Sequence, residues 1–394
     1  MKRILLTTTA LTMTAGIAAA EVTVSGDFRL GFNDTEAGAT AASGTTAPVA
    51  AGVNAAGTAL VAAVAASADY KAAVVHDNKL GVYNDAGISF GMSSTLDNGM
   101  SASITLDMDG SDTGSQAQDK YKFALSNDTT MVEFGTTEYS TITNWTSAGD
   151  MDTDTWSNQN ADNKNVLRAE TTVGGLKVSV STNVAAASAT ASADPLALTI
   201  GGALGGASYV IANEGSKMGI AVATAVGGAT VTTGWSTAPA IITAGGTVGA
   251  EDASGMNTST GVKIAYPMGS VVATASYVME AEGTCATGVT CASNDDNWNI
   301  SAVWTSGDTK VTFATDESTD NKVEGSTKLG AATVAAGLTD ELKDMYLSVT
   351  NPLGGGASIM ASYAIDGDGS ADALDEVGGP DLQEGLTIEL KFAF

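Results

Sequence analysis

The sequence predicts an all-β protein, a transmembrane antiparallel β-barrel with an even number of strands, about 16–20. Three observations predict it. Large apolar residues alternate with small or polar ones over long stretches. Short turns rich in Gly and Asn join these stretches in pairs, with longer polar connections at their other ends. The closing stretch, EGLTIELKFAF, keeps the alternation through Leu386, Ile388, Leu390, Phe392 and Phe394.

Residues 1–20, MKRILLTTTALTMTAGIAAA, read as a cleaved signal peptide: Lys2 and Arg3, a modest apolar middle, then Ala18-Ala19-Ala20 before Glu21. Residues 21–394 read as a single barrel with a low-complexity loop insertion at about 34–85. The chain carries 44 Asp and Glu against 17 Lys and Arg, a formal charge of −27. Two of those bases lie in the leader, so the remainder is more acidic still. Nucleic acid is excluded as a partner, because phosphate binding needs a basic surface. The acidity suits a surface that gathers cations. The longest apolar-looking stretch, 47–66, is mostly Ala, Val and Gly around Pro48 and Asn54, a poor membrane helix.

The first strand is EVTVSGDFRLGF, with Val22, Val24, Phe28, Leu30 and Phe32 on one face and Thr23, Ser25, Asp27 and Arg29 on the other. Soluble strands usually run about five or six residues. Tilted membrane strands need roughly nine to eleven. The pattern returns at Ile104, Leu106 and Met108; at Tyr121, Phe123 and Leu125; at Leu176, Val178 and Val180; at Val262, Ile264 and Tyr266; at Trp298, Ile300 and Trp304; and at Ile359, Ala361, Tyr363 and Ile365. Hairpin turns are expected at Asp97-Asn98, Asn127-Asp128, Gly174-Gly175, Gly205-Gly206, Gly227-Gly228, Pro267-Met268, Gly307-Asp308 and 352–356. Long connections are expected at 34–85, 109–118, 138–164, 183–195, 237–258, 280–296 and 366–384. The hairpins near 196–212 and 322–338 have the weakest patterns. The last strand must pair with the first, because an open edge cannot persist in lipid.

The leader with EVTVSGDFRLGF, the hairpin GISFGMSSTLDNGMSASITLDM, the segment TMVEFGTTEYS and the terminal ELKFAF resemble the general porins of alphaproteobacteria. The resemblance implies a channel of the Gram-negative outer membrane, usually 16-stranded and assembled as a homotrimer. It also implies contact with lipid and lipopolysaccharide, and delivery by periplasmic chaperones and the barrel-assembly machinery through the strand ending at Phe394. It implies that the third long loop folds into the pore and constricts it. Here that loop is 138–164, with Glu138, Asp150, Asp152, Asp154 and Asp162.

A cationic side chain facing lipid at mid-membrane costs roughly 2–4 kcal/mol. Arg29, Lys120, Lys122, Arg168, Lys177, Lys263, Lys310 and Lys391 all fall on the polar side of their strands and are expected to face the lumen. Acidic loop residues opposite them would set a transverse field that aligns polar solutes. The family's arginine cluster near the second strand is absent, and YNDAGISF stands there. With the overall charge, this predicts cation preference.

No cofactor is required. Asp150, Asp152 and Asp154, and the stretch 366–376, suit calcium by composition. They also suit an ordinary acidic loop, and neither fits an EF-hand. Cys285 and Cys291, in TCATGVTC, suit a small loop disulfide in an exported protein. His76 is the sole histidine and no motif partners it, so a hydrolase triad is not supported and no enzyme is expected.

The function expected is passive diffusion of ions and small hydrophilic solutes. The alternatives are a substrate-specific channel and a non-conducting structural or adhesive barrel. Tyr121, Phe123, Trp298, Trp304 and Tyr363 fall on the lipid side, which argues against an aromatic sugar track; Trp145 and Trp156 are the exceptions.

Overall fold

The computed structural model describes residues 21–34, 39–40, 52–53, 60–61, 74–75, 80–110, 116–158, 164–184, 195–244, 247–283, 295–318, 320–339, 341–366, 376–380 and 382–394. Its main sheet has 20 strands. They are β1 (Glu21–Asp34), β2 (Leu80–Thr95), β3 (Ser101–Gly110), β4 (Gln116–Ser126), β5 (Thr130–Gly135), β6 (Val166–Val173) and β7 (Leu176–Asn183). Next come β8 (Ala197–Leu204), β9 (Ala207–Glu214), β10 (Lys217–Val226), β11 (Ala229–Ala244), β12 (Thr247–Met268) and β13 (Val271–Ala281). The last are β14 (Asn297–Ser306), β15 (Thr309–Asp316), β16 (Lys322–Leu329), β17 (Ala332–Thr339), β18 (Asp344–Gly354), β19 (Ala357–Ile365) and β20 (Gly385–Ala393).

Each strand pairs antiparallel with its sequence neighbours in the ring, and β20 also pairs with β1, so no edge is left. The closing register sets Phe28 opposite Phe392 and Arg29 opposite Lys391. The alternation read from the sequence therefore stays in phase across the seam. One face of the wall carries Val24, Phe28, Phe32, Ile104, Phe123, Ile220, Tyr277, Trp298, Trp304, Phe313, Leu347, Tyr363 and Ile388, all exposed. An apolar belt of this extent belongs in lipid. The opposite, polar face is the lumen. Among the described residues no helix is long and apolar enough to cross a membrane.

Most turns fall where the sequence places them. Gly205 and Gly206 adopt φ of +60° and +88°, the twist a two-residue hairpin needs. The weakly patterned hairpins at 196–212 and 322–338 both form. The expected turn at Pro267-Met268 is corrected to the two residues after Met268: both named residues lie in β12, opposite Val272 and Val271. Pro267 is the next-to-last residue of the strand, where a missing N–H costs little. The expected loop 237–258 is also corrected. It belongs largely to β11 and β12, which stay paired from Thr230↔Ala265 to Ala244↔Thr247, with register shifts after Pro239 and Ile242. Its Thr-, Ala- and Gly-rich composition hid a hairpin that continues the membrane strands. The 16 strands implied by the resemblance become 20. A further tight turn at Gly215-Ser216 stands on the rim that carries the long loops.

Candidate pore constriction

The connection between β5 and β6 is the third long one, and its described part turns inward. It forms a short helix α1 (Ser140–Asn144) and a single 3-10 turn (Asp152–Asp154). Neither has a side-chain cap, so contact with the wall holds them rather than helix propensity. The segment runs along the lumen face of the strands from β6 to β14.

Its first anchor is the base of the helix. The Ser140 N–H donates to Ser181 Oγ at 2.7 Å, and Ser140 Oγ donates to the carbonyl of Ala197 at 3.0 Å. Tyr139, Val166 and Ala197 close over this point as a buried apolar cluster. The second anchor is Glu214, which is 2% exposed. Its carboxylate accepts from Thr141 Oγ1 at 2.8 Å and from the Ser157 N–H and Oγ at 3.0 and 2.6 Å, tying both ends of the segment to β9. The third is the 3-10 turn. The Thr153 N–H donates to Ser259 Oγ, Asp152 N–H donates to Glu280 Oε1, and Asn297 Nδ2 donates to the carbonyl of Asp150.

Between anchors the segment presses on glycines. A Cβ at Gly219 would stand 2.6 Å from Trp145 Cη2, one at Gly234 3.0 Å from Ala148 Cβ, and one at Gly261 2.7 Å from the Ala148 carbonyl. Gly234 and Gly261 are register partners, so together they form a trough in the wall. Trp145 and Trp156 pack edge to face at 5.4 Å, and Trp145 Nε1 donates to Asp154 Oδ2 at 2.8 Å.

Arg168 is buried and bonds Glu133 through Nη2 at 2.6 Å; its Nη1 donates to Thr143 Oγ1 of the segment. Lys122 stands 3.6 Å from the same Glu133, and Lys177 lies 3.0 Å from Glu170. Arg29 is 3.9 Å from Asp27. Lys120 lies opposite Asp107 in register, and Lys391 opposite Arg29 and Ser358. Lys263 and Lys310 lie on the same polar face of β12 and β15. Arg168 is thus bonded both to the wall and to the inward segment.

Glu138 is half-buried at the start of the segment. Burial raises the Asp152 carboxyl above its ordinary range, and Asp150, Asp154 and Glu317 add to this by like charge. Burial likewise raises Asp154, opposed by hydrogen bonds from Trp145 and Ser147. Asp162, Cys285, Cys291 and His76 lie outside the described residues, as do 367–375. Among the described residues no group of three or more His, Cys, Asp or Glu side chains is set to hold a metal ion. The anchors Glu133, Glu214 and Glu280 escape a sequence reading, because an acid on a polar face looks like any other. The glycines at 219, 234 and 261 do leave a trace: each is a missing side chain on the lumen phase of a long strand.

A family model described as Gram-negative porin matches residues 7–369. No curated protein sequence gives a significant match. A variant of the Rhodopseudomonas blastica porin is similar at 13% identity, covering 95% of this chain and all of that one, with a TM-score of 0.40. A loop-deletion variant of OmpT, an outer membrane protein of Vibrio cholerae, is similar at 10% identity, covering 95% and 99%, with a TM-score of 0.38. The family match spans nearly the whole barrel described above, and on it the chain belongs to the Gram-negative porins, non-enzymatic channels of the outer membrane.

Proposed function

We propose that this porin passes ions and small hydrophilic solutes by passive diffusion, prefers cations, and is narrowed by the segment 138–164. The observation that carries the reading is the docking of an acidic turn inside a polar wall. Asp150, Asp152 and Asp154 are held on β11–β14, and Glu280 lies beside them. Of the basic residues beside the segment, Arg168 and Lys122 share Glu133, Lys177 pairs with Glu170, and Lys217, opposite Glu214 in register, donates to the Thr155 carbonyl. The narrowed region thus keeps a surplus of carboxylate, which attracts cations and repels anions.

Arg29 on β1, Lys120 on β4 and Lys391 on β20 lie away from β11–β14, where Asp150, Asp152 and Asp154 dock, so the field runs from one wall to the other. It aligns polar solutes and disfavours apolar ones. Further parts of the reading are cleavage of residues 1–20, assembly as a homotrimer in lipid and lipopolysaccharide, delivery through the Phe394 strand, and a Cys285–Cys291 loop disulfide.

The test is planar-bilayer recording of the purified protein across a KCl gradient. Steps in groups of three with a cation-directed reversal potential are expected. An anion-directed potential overturns the preference, and a folded barrel without conductance overturns the diffusion reading.

A further inference from the structure

The last long connection, between β19 and β20, also sends a segment into the lumen. Val377 and Leu382 are 2% and 3% exposed. They pack with Tyr346 and Ala364, and Ala335 and Met360 flank the cluster. The register puts Tyr346, Ala364, Ala335 and Met360 on the polar phase of β17–β19, the same lumen face as Ser348 and Ser362. An apolar patch on a wet wall is unfavourable unless covered, and Val377 and Leu382 cover it.

One carboxylate clamps the cover. Glu324 Oε1, on the lumen face of β16, accepts from Tyr346 Oη at 2.9 Å and from the Gly379 N–H at 2.7 Å. Gly378 crosses the Tyr346 ring with φ of +75°, and an added Cβ would lie 2.2 Å from Tyr346 Cε1. The root of the segment is pinned separately. Asn33 Nδ2 donates to the carbonyl of Glu384 at 2.8 Å and to Thr387 Oγ1 at 2.7 Å. The first inward segment occupies β6–β14. This one occupies β16–β19, on the part of the wall the first leaves bare.

We infer that residues 376–380 and 382–383 form a second pore-lining constriction facing the first, with Glu324 as its positioning residue, and that the gap between the two segments sets the solute size limit. The inference rests on the lumen being the diffusion path. It assigns part of the size limit to a docked apolar cover rather than to the acidic turn.

Two variants change only the cover and leave the wall intact: Val377→Ser with Leu382→Ser, and Gly378→Ala. Each is purified as a heat-modifiable folded barrel and compared with wild type by single-channel conductance in KCl and by liposome swelling with neutral sugars of increasing size. Conductance is expected to rise roughly 1.5-fold in both, with larger sugars admitted and the reversal potential little changed. Equal conductance and an equal size limit in a conducting wild type and in folded variants overturn the inference and leave the diffusion reading standing. A silent wild type with conducting variants overturns the diffusion reading and makes this segment the plug. Silence in all of them overturns both.

Discussion

Phe394 and Gly26 exchange two backbone hydrogen bonds across the seam, Gly26 N–H to Phe394 O and Phe394 N–H to Gly26 O, each 3.0 Å. The Phe394 ring lies over Gly26, where an added Cβ would stand 2.8 Å from its Cζ and 2.7 Å from the Gly87 carbonyl. Phe394, the residue after β20, thus extends the ladder between the last strand and the first.

Removing Phe394 should leave Gly26 unpaired at the rim and weaken closure. Each lost hydrogen bond is worth about 1 kcal/mol, and more where water is excluded. The expected outcome is a lower temperature for loss of the heat-modifiable band on a gel, together with a lower yield of assembled barrel. Gly26→Val should act the same way by displacing the ring. Equal thermal transitions would show that β1 and β20 are held elsewhere.

Arg168 and Glu133 form the most buried ion pair among the described residues, with side chains 9% and 7% exposed. Replacing Arg168 by Ala strands a buried carboxylate, and loss of one partner typically costs about 3–5 kcal/mol. Lys122, at 3.6 Å, offsets part of this. The Arg168→Ala/Glu133→Ala double variant should therefore be more stable than Arg168→Ala alone. A double-mutant cycle in denaturant checks it, and additive losses would contradict a coupled pair.

Gly261→Val should push the first segment off the wall, since its Cβ would meet the Ala148 carbonyl at 2.7 Å. Undocking opens the lumen, so single-channel conductance should rise although the substitution adds volume. A fall in conductance would mean that the segment stays docked and the new side chain narrows the pore.

Acidification should weaken cation preference before ordinary aspartates titrate. The Asp152 and Asp154 carboxyls are raised above the ordinary 3.8. A raised carboxyl binds its proton more tightly in the docked state. Docking is therefore most favourable below the ordinary value and loses that contribution as pH rises through the raised ones. The same protons remove negative charge from the pore. Reversal potentials measured from about pH 7 down to about pH 4 should drift toward zero, and less so in Asp152→Asn/Asp154→Asn. A flat profile in the wild type would remove these residues from selectivity.

The period-two alternation by itself determined the barrel, its lipid face and its seam. A side chain in lipid and one in water differ by kilocalories at every position, so membrane strands carry the signal in each residue. Even so, the weak patterns of Ala207–Glu214 and Lys322–Leu329 show how far ring pairing supports strands that alternate poorly. The stretch 237–258 shows the converse: small polar residues read as loop until a partner strand lay beside them.

What only the tertiary structure decided was the inside of the pore. The aspartates of DMDTDT were legible as acids, but not their seat beside Glu280 and Asn297. Glu214, Glu324 and Tyr346 were lumen residues like any others until two distant segments folded onto them. Contacts between a loop and a wall far away in the chain leave no period in the sequence. They are set by which strands the closed ring brings face to face, and glycines and carboxylates at those points act only once the ring has closed.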